Sequence, residues 1–293
     1  MKATGITKAF AGVAALQQAS LSLEAGHIHA LVGENGAGKS TLLKIMAGII
    51  RPDAGAVTLG GQPVYENPAA KRRVLFVPTE CHLLPGWRQA ELVGFYEGVY
   101  PRFDRARFAQ ALGDAPIGGK RVRRLSTGMQ MTLAVALALG ARPDVLLLDE
   151  PFAGLDVIVR RRLIRMLIDE CAERPTAVLI SSHNVDELER LCDTATFLSR
   201  GRVVSSGALG DVKQGAVKRL QVVFAGDPPA DLAGWPGIIA VESLGRVHTI
   251  TAASGDDSIK SRLEACGLVM CEPLPVTLEE AFLFSYEQGG KAV

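Results

Sequence analysis

The chain carries one octet from which the rest of its organisation follows: Gly33-Glu34-Asn35-Gly36-Ala37-Gly38-Lys39-Ser40. This octet matches the pattern G-x-x-x-x-G-K-[ST], whose glycines let the backbone fold tightly, so that successive N–H groups converge on phosphate oxygens. The lysine of the pattern reaches the β- and γ-phosphates, and the serine hydroxyl can ligate Mg²⁺. The octet therefore predicts a binding site for a nucleoside triphosphate and its magnesium ion.

The segments that flank the octet are those that a phosphate-binding loop requires. Ile28–Val32 is typical of a buried strand, and Thr41–Ala47 favours a helix whose N-terminal dipole adds to the phosphate site. A flexible glycine-rich turn is the other interpretation, and the order of strand, loop, Lys-Ser and helix argues against it. The residues that this motif assigns to the nucleotide are Gly33, Glu34, Asn35, Gly36, Ala37, Gly38, Lys39, Ser40 and Thr41.

Composition limits the possible partners. The 293 residues are 48% hydrophobic and 22% charged, which is ordinary for a globular protein with a sizeable core. The net charge of +1 gives no reason to expect binding to nucleic acid. The five cysteines form no C-x-x-C pair, so we expect buried or incidental thiols in a reducing cytosol rather than disulfides or a zinc site. No apolar run approaches the roughly 20 residues of a membrane helix, so the chain is not expected to span a membrane by itself.

Residues 1–213 are predicted to form an α/β domain. Unbroken apolar strands such as Val145–Leu148 and Ala177–Ile180 alternate with helical patterns such as Ile158–Arg174. This alternation is typical of a parallel sheet that helices cover on both faces. Helical patterns dominate between about residues 80 and 140, which indicates a helical subdomain inserted in the domain.

Residues 214–293 are predicted to form a small α+β extension. Short strand patterns, such as Gln221–Phe224 and Val247–Thr251, are separated by loops rich in proline and glycine, and Leu278–Tyr286 favours a helix. The extension contains no catalytic constellation. Its role is open between a dimerisation module, a regulatory ligand site and a stabilising cap.

An acidic pair, Asp149-Glu150, follows the predicted strand Val145–Leu148. Carboxylates at the end of a buried strand lie beside the phosphate loop in sheets of this kind. Asp149 is therefore predicted to hold Mg²⁺, directly or through water, and Glu150 to polarise an attacking water. An acidic turn is the alternative, which the presence of the phosphate loop disfavours.

Two further residues, Ser126 and His183, are weaker evidence for a phosphate site when each is taken alone. Ser126 precedes a long apolar helix, where its hydroxyl and the free N–H groups of the first turn form either a plain helix cap or an anion site. His183 follows the strand pattern of Ala177–Ile180, where its imidazole is either structural or in reach of a γ-phosphate.

Taken together, these motifs resemble the nucleotide-binding subunits of ATP-binding-cassette (ABC) transporters over about residues 1 to 210. The resemblance implies the P-loop NTPase fold of ABC ATPases, with a mixed sheet core, an antiparallel β edge and a helical subdomain. It makes Lys39, Glu150 and His183 the catalytic residues, and Ser40 and Asp149 the Mg²⁺ ligands. It assigns further contacts with the nucleotide to Phe10, stacked on adenine, to Ser126 and Gly128 of the signature segment, to Asp156 of the D-loop and to Thr79.

Thr79 marks a departure from the family pattern. The family usually has glutamine at this position, where it meets Mg²⁺ and the attacking water. Threonine is shorter than glutamine. It could contact Mg²⁺ through a water molecule, or the substitution could slow hydrolysis or alter coupling to the membrane subunit, and the sequence does not decide among these alternatives. Within the family, Phe95–Asp104 looks like bacterial exporter ATPases with a short C-terminal extension.

The resemblance implies an ATPase that dimerises head to tail around two ATP, as a homodimer or with a second ABC subunit. It also implies a separate membrane permease, and so a cytoplasmic protein held at the inner face of the cell membrane. The region Lys71–Pro101 is the candidate docking surface for that permease. The alternatives are a soluble ABC ATPase of translation or DNA repair, and a regulatory ABC subunit that hydrolyses ATP weakly.

Overall fold

The protein, seen in a computed structural model that describes residues 1–80, 83–253 and 258–291, consists of two compact units. They comprise Met1–Ser206 and Gly207–Val293. The predicted domain boundary after residue 213 falls within a helix of the second unit, Leu209–Ala216. Of the five cysteines, Cys81 lies outside the described residues.

The first unit contains two sheets. An antiparallel sheet has the order β2-β1-β4-β5, and a six-stranded sheet has the order β10-β9-β3-β8-β7-β6. The strands are β1 Lys2–Phe10, β2 Val13–Ser22, β3 Ile28–Val32, β4 Ala54–Leu59, β5 Gln62–Pro63, β6 Val74–Val77, β7 Val145–Asp149, β8 Ala177–Ser182, β9 Thr194–Ser199 and β10 Arg202–Ala208, which continues across the unit boundary. The antiparallel edge beside a parallel core confirms the predicted fold class.

The parallel core forms from the apolar runs. Every residue of β3, β7 and β8 is buried, as expected for strands covered on both faces. β8 pairs in parallel with both β3 and β7, so the carboxyl ends of all three strands meet at one edge. In this register Asp149 lies opposite Ser181, and Val32 opposite Ser182. The octet leaves β3 at the same edge.

The helices of the first unit surround this sheet. They are α1 Lys39–Met46, α2 Pro68–Lys71, α3 Gln89–Val99, α4 Arg105–Leu112, α5 Thr127–Gly140, α6 Val157–Glu173 and α7 Val185–Glu189, with a 3₁₀ turn at Val122–Arg124. The residues from Met131 to Gly140 in α5 are all buried, which explains why this helix carries the longest apolar run of the chain.

One buried ionic cluster joins α4 to α6. Glu170 is fully buried and accepts hydrogen bonds from Arg107 Nε at 2.9 Å and from Thr176 Oγ1 at 2.8 Å. Arg174 donates a longer bond of 3.3 Å to the same carboxylate. Because a buried charge is tolerated only when it is paired and hydrogen-bonded, the cluster holds α4 against α6 and ties α6 to Thr176, just before β8.

In its described residues, the second unit has a four-stranded antiparallel sheet, three α-helices and a 3₁₀ turn at Leu232–Gly234. The strands β11 Val217–Phe224, β12 Ile238–Leu244, β13 Val247–Ala253 and β14 Leu268–Leu274 have the order β12-β13-β11-β14. The helices are α8 Leu209–Ala216, α9 Ser258–Ala265 and α10 Leu278–Lys291. Val222, Ile250 and Leu263 form the centre of its core. Among the described residues of both units, the helices include none that is long and apolar enough to cross a membrane.

A polar triad lies inside the parallel core. His29, the second residue of β3, has one ring nitrogen 2.8 Å from Thr196 Oγ1 and the other 2.7 Å from Thr194 Oγ1. Burial disfavours the charged imidazolium and lowers the pKa of His29 from 6.5 to about 4. The folded protein therefore holds this ring neutral at pH values where the unfolded chain protonates it.

We expect the stability contributed by neutral His29 to be complete above pH 6.5 and to be lost as the pH falls from 6.5 towards 4. The loss amounts to about 3 kcal/mol when converted from the change in pKa. Urea unfolding at a series of pH values measures it. A His29→Gln variant should lose this part of the pH dependence, and His27→Gln, at an exposed position before β3, should keep it. Equal pH profiles for the His29 variant and the wild type would refute the assignment.

Candidate functional site

The octet forms the turn between β3 and α1, and two of its glycines are required by close backbone contacts. Gly38 has a φ of +105°, and a Cβ atom there would lie 2.5 Å from the carbonyl oxygen of Ala15. A Cβ on Gly33 would lie 2.4 Å from the carbonyl oxygen of Leu198. A larger residue at either position would push the loop away from β2 or β9. These contacts hold the loop against the sheet edge.

The loop lines a pocket of about 450 Å³ at the carboxyl ends of the parallel strands. Most of the residues predicted for the nucleotide site meet there. The lining consists of Ala15, Glu34, Asn35, Gly36, Gly38, Lys39, Ser40, Thr41, Thr79, Glu150, Ala153 and His183. Gly33 and Ala37 belong to the same loop without lining the pocket. Ala15 was not predicted, because no local signal places its strand against the loop.

Lys39 is held inside the loop. Its ammonium group, on a side chain that is 6% exposed, donates to the carbonyl oxygens of Gly33 at 2.6 Å and Glu34 at 3.2 Å. The same nitrogen lies 3.2 Å from Glu150 Oε1. That carboxylate oxygen is buried and accepts no hydrogen bond among the described residues, so the charge of Lys39 is its main stabilising contact. Lys39 thus joins the phosphate loop to the acidic pair.

Glu150 also contacts His183. Its other oxygen, Oε2, lies 2.9 Å from His183 Nδ1 and accepts a 3.4 Å bond from the His183 backbone N–H. Glu150 has a φ of +47°, in the left-handed region that non-glycine residues rarely adopt. Backbone strain of this kind persists where the surroundings hold it, and it is concentrated at functional sites. The backbone conformation directs the Glu150 carboxylate into the pocket.

Ser181 supports both acidic residues. Its hydroxyl donates to Asp149 Oδ1 at 2.7 Å and accepts from the Glu150 N–H at 3.0 Å. Asp149 is only 4% exposed, so its carboxylate depends on this bond for a partner on the protein side. Ser181 was missed from the sequence. The only signal was a polar residue at the end of an otherwise apolar strand.

The oxygen donors at this edge fit a magnesium ion. The hydroxyls of Ser40 and Thr79 line the pocket, and the Asp149 carboxylate lies at the end of the adjoining strand. Mg²⁺ prefers such hard oxygen ligands and commonly uses one or two carboxylates together with substrate phosphates. The described residues contain no cluster of three or more acidic, histidine or cysteine side chains that would favour another metal.

Three predicted site residues, Ser126, Gly128 and Asp156, lie outside the pocket that holds Lys39. The exposed Ser126 caps α5, and its Oγ accepts from the Met129 N–H at 3.3 Å. Asp156 caps α6 by accepting 2.9 Å bonds from the N–H groups of Ile158 and Val159. Gly128 faces Val159, whose methyl groups would lie 3.2 Å from an added Cβ. None of the three lines the pocket that holds Lys39.

Phe10 also lies outside the residues that line the pocket. It ends β1 before a tight turn, is 46% exposed, and has Lys8 Nζ 5.5 Å from the centre of its ring. The exposed ring is thus available to a flat ligand.

The sequence is similar to known transporter subunits. A family model described as "ABC transporter" matches residues 16–153. ABC transporter ATP-binding protein YtrB of Bacillus subtilis is 32% identical over 288 residues, which cover 98% of this chain and 97% of the relative. Nod factor export ATP-binding protein I of Burkholderia lata is 32% identical over 286 residues, with 95% and 94% covered. Fe(3+) ions import ATP-binding protein FbpC of Pseudomonas fluorescens is 33% identical over 231 residues, with 76% and 65% covered.

Solved structures share the fold. An ATP-binding subunit of an ABC transporter superposes with a TM-score of 0.66 at 24% identity, over 73% of this chain and 91% of that one. A dimeric ATP-binding cassette in a post-hydrolysis state, bound to ADP and phosphate, gives a TM-score of 0.62 at 23% identity, over 71% and 98%.

We expect a Ser181→Ala variant to lower the free energy of unfolding by about 2–3 kcal/mol, because it leaves the buried and charged Asp149 carboxylate without its hydroxyl partner. Denaturant unfolding monitored by circular dichroism measures the change. Ser182→Ala is the matched control, since the Ser182 hydroxyl accepts from the Asn184 N–H rather than supporting a carboxylate, and about 1 kcal/mol is expected. Equal costs for the two variants would contradict the role of Ser181.

Proposed function

Because the chain belongs to the ABC transporter family as an ATP-binding, ATP-hydrolysing subunit, we propose that the pocket around Lys39 is its ATP site. The observation that carries the proposal is the meeting of the phosphate loop, Thr79, Glu150 and His183 around a single cavity. The loop N–H groups and Lys39 bind the phosphates, and Phe10 stacks on the adenine. Ser40 and Asp149 would hold Mg²⁺, which would supply charge neutralisation to the bound nucleotide.

The ion pair between Lys39 and Glu150 gives a mechanism for coupling binding to catalysis. Lys39 has one strong cationic group and two candidate anions, the Glu150 carboxylate at 3.2 Å and the phosphates of ATP. Phosphate oxygens carry more negative charge and replace Glu150 as the partner of Lys39. The carboxylate is then released to accept a proton from the attacking water. His183, already 2.9 Å from Glu150, holds the carboxylate in orientation and reaches the γ-phosphate.

A second subunit completes the site. Ser126 and Gly128 are proposed to bind the γ-phosphate of a partner chain, with Asp156 at the interface. The location of these residues outside the chain's own pocket supports this proposal, as does the dimeric state of a solved cassette with the same fold. The partner is a second copy of the chain or a related ABC subunit. ATP then acts as a switch, since its γ-phosphate attracts groups from both chains and hydrolysis removes that link.

The ATP-hydrolysing subunit drives a separate membrane permease. Because it must contact that permease, we propose that the subunit lies at the cytoplasmic face of the membrane. Relatives of the chain are named for export and for import, so the predicted export direction stays a prediction. The region Lys71–Pro101 is the proposed docking surface. There Trp87 packs edge-on against Phe95 at 5.8 Å between ring centres, and Phe95 remains 51% exposed. Cross-links from Phe95 that reach only regions outside the permease would overturn this assignment.

A second candidate function is a regulatory ABC subunit that hydrolyses ATP weakly. The observation that favours it is Thr79, which lines the pocket where the family usually has a longer glutamine. Steady-state turnover of Mg-ATP with and without the permease separates the two candidates. The other alternative, an ATPase of translation or DNA repair, gains no support from relatives that are named as transporter subunits.

A Glu150→Gln variant should bind ATP and accumulate as a dimer. The amide cannot take a proton from water, so turnover should fall by about 10²-fold or more, and the γ-phosphate that joins the subunits should persist. Size-exclusion chromatography with light scattering measures the dimer. Adding Lys39→Ala should restore the monomer by weakening phosphate binding. A Glu150→Gln protein that stays monomeric at every ATP concentration would rule out a dimer held together by ATP.

A Thr79→Val variant tests the hydroxyl, because valine keeps the shape of threonine and removes its hydrogen bond. We expect turnover to fall about tenfold, which corresponds to the loss of one hydrogen bond in the transition state. The affinity for ATP should change little. Phosphate-release kinetics measure the effect, with Thr58→Val on β4 as the control. Unchanged turnover would mean that Thr79 does not replace the usual glutamine.

A further inference from the structure

The first unit contains a second cavity, of about 410 Å³, between α4 and α6. The residues that line it come from α4, from Gly113-Asp114 directly after that helix, and from the middle of α6. None of them lines the pocket around Lys39. The volume falls within the roughly 300–1,000 Å³ of small-molecule sites. The cavity is therefore a candidate binding site separate from the proposed ATP site.

Arginine dominates the charge of this cavity. The charged side chains that line it are Arg107, Asp114, Arg161, Arg162, Arg165 and Asp169. Three of the four guanidinium groups come from α6, where Arg161 and Arg162 precede Arg165 by the spacings of neighbours on a helix surface. The planar guanidinium group binds phosphate and carboxylate oxygens through two parallel N–H bonds. The wall is thus suited to an anion.

The carboxylates of the wall leave part of this positive charge unpaired. Arg162 Nη2 lies 2.7 Å from Asp114 Oδ1, but the Asp114 side chain is 94% exposed. Arg165 Nε lies 4.0 Å from Asp169 Oδ2, beyond hydrogen-bond distance. The Arg161 side chain is exposed and forms no ion pair or hydrogen bond with a residue that the structure describes. Exposed ion pairs contribute little stability, so a group with a larger negative charge can take the place of either carboxylate.

Arg107 supplies a buried donor at the same wall. Its side chain is 4% exposed, and its Nε donates to Glu170 Oε2 at 2.9 Å. Its Nη2 is also buried and has no acceptor among the described residues. Glu170 is shared with Arg174, and Glu173 Oε2 lies 3.8 Å from Arg107 Nε, too far for a hydrogen bond. A buried donor without an acceptor is costly, so Arg107 favours a ligand oxygen in the cavity.

We propose that this cavity binds a small phosphorylated molecule. Its phosphate group lies between Arg107 and Arg161, with Arg165 beside them, and its organic body lies against the buried side chains of Leu112 and Met166. A phosphate monoester carries nearly two negative charges and three acceptor oxygens near neutral pH, which is more than one aspartate offers to the same arginines. The assignment goes beyond ATP hydrolysis and does not depend on the proposed roles of the ATP-site residues.

The test uses the full chain without nucleotide, and phenyl phosphate as the probe, in isothermal titration calorimetry at about pH 8, above the second phosphate pKa of about 6. The control compound is methyl phenyl phosphate, which has a similar organic body and one negative charge instead of two. We expect phenyl phosphate to bind in the cavity and the monoanion to bind about tenfold more weakly, the effect of losing one charge-assisted hydrogen bond. No binding of phenyl phosphate, or equal affinities for the two compounds, would overturn the proposal.

Matched arginine variants locate the bound probe. The double variant Arg161→Gln/Arg165→Gln should weaken phenyl phosphate binding about tenfold or more. Arg51→Gln/Arg72→Gln removes the same charge at two exposed positions outside the cavity and should leave the affinity unchanged. Arg107 is kept in both, because its loss would leave a buried carboxylate short of a partner. Equal weakening in the two double variants would mean that binding follows net charge, and the site would be refuted.

A Lys39→Ala variant separates this site from the proposed ATP site. Lys39 does not line the cavity, so the variant should bind phenyl phosphate with the affinity of the wild type. Loss of binding in Lys39→Ala, together with binding retained in Arg161→Gln/Arg165→Gln, would place the probe in the phosphate loop and exclude the cavity.

Asp114 gives an expected effect of the opposite sign. Asp114→Asn frees Arg162 from its exposed ion pair, so phenyl phosphate binding should become about two- to fivefold tighter. Asp227→Asn removes the same charge at an exposed position of the second unit and should leave the affinity unchanged. Thermal unfolding verifies that all variants are folded. Weaker or unchanged binding by a folded Asp114→Asn protein would contradict the role of the arginine wall.

Discussion

The parallel register of β7 and β8 is the constraint on which the candidate ATP site depends. It sets Asp149 opposite Ser181, so the Ser181 hydroxyl can donate to the Asp149 carboxylate and accept from the Glu150 N–H. A slip of one residue would turn each of these side chains to the other face of the sheet. The fully buried side chains of both strands make such a slip costly, because it would move apolar groups out of the core. Core packing thus determines the geometry of the acidic pair.

Charge balance then links this edge to the phosphate loop. Lys39 is buried against the carbonyl oxygens of its own loop and has Glu150 as its anionic neighbour, while Glu150 contacts His183 on its other side. A buried ammonium and a buried carboxylate stabilise one another, and removing either leaves the other uncompensated. In the proposed ATP site, the phosphates would compete with Glu150 for Lys39. Under that proposal, the Glu150 carboxylate would respond to the nucleotide through its ion pair with Lys39.

Much of this organisation follows from local sequence. The apolar runs identify the buried strands, the octet identifies the loop, and Asp149-Glu150 is marked by its position directly after a strand. The rest depends on tertiary contacts that leave no local trace. The positive φ of Glu150, the Ser181 hydroxyl and the approach of the Ala15 carbonyl oxygen to Gly38 arise only when β2, β7 and β8 have packed against the loop. The pairing of β11 with β14 in the second unit is likewise something that periodicity alone does not specify.

The positions of Ser126 and Asp156 have a consequence for how the site is built. Each cap uses its side-chain oxygen to satisfy N–H groups of the first helical turn, so neither residue needs a ligand in order to be stable in the single chain. The half-site that a partner would meet is therefore already formed and exposed before assembly. In the proposed dimer, the cost of closing an ATP site across two chains would fall on association and on the rearrangement of Lys39 and Glu150, rather than on the folding of the signature segment. Because folding of this half-site adds no cost to assembly, the proposed switch would let one γ-phosphate decide between the joined and the separated state.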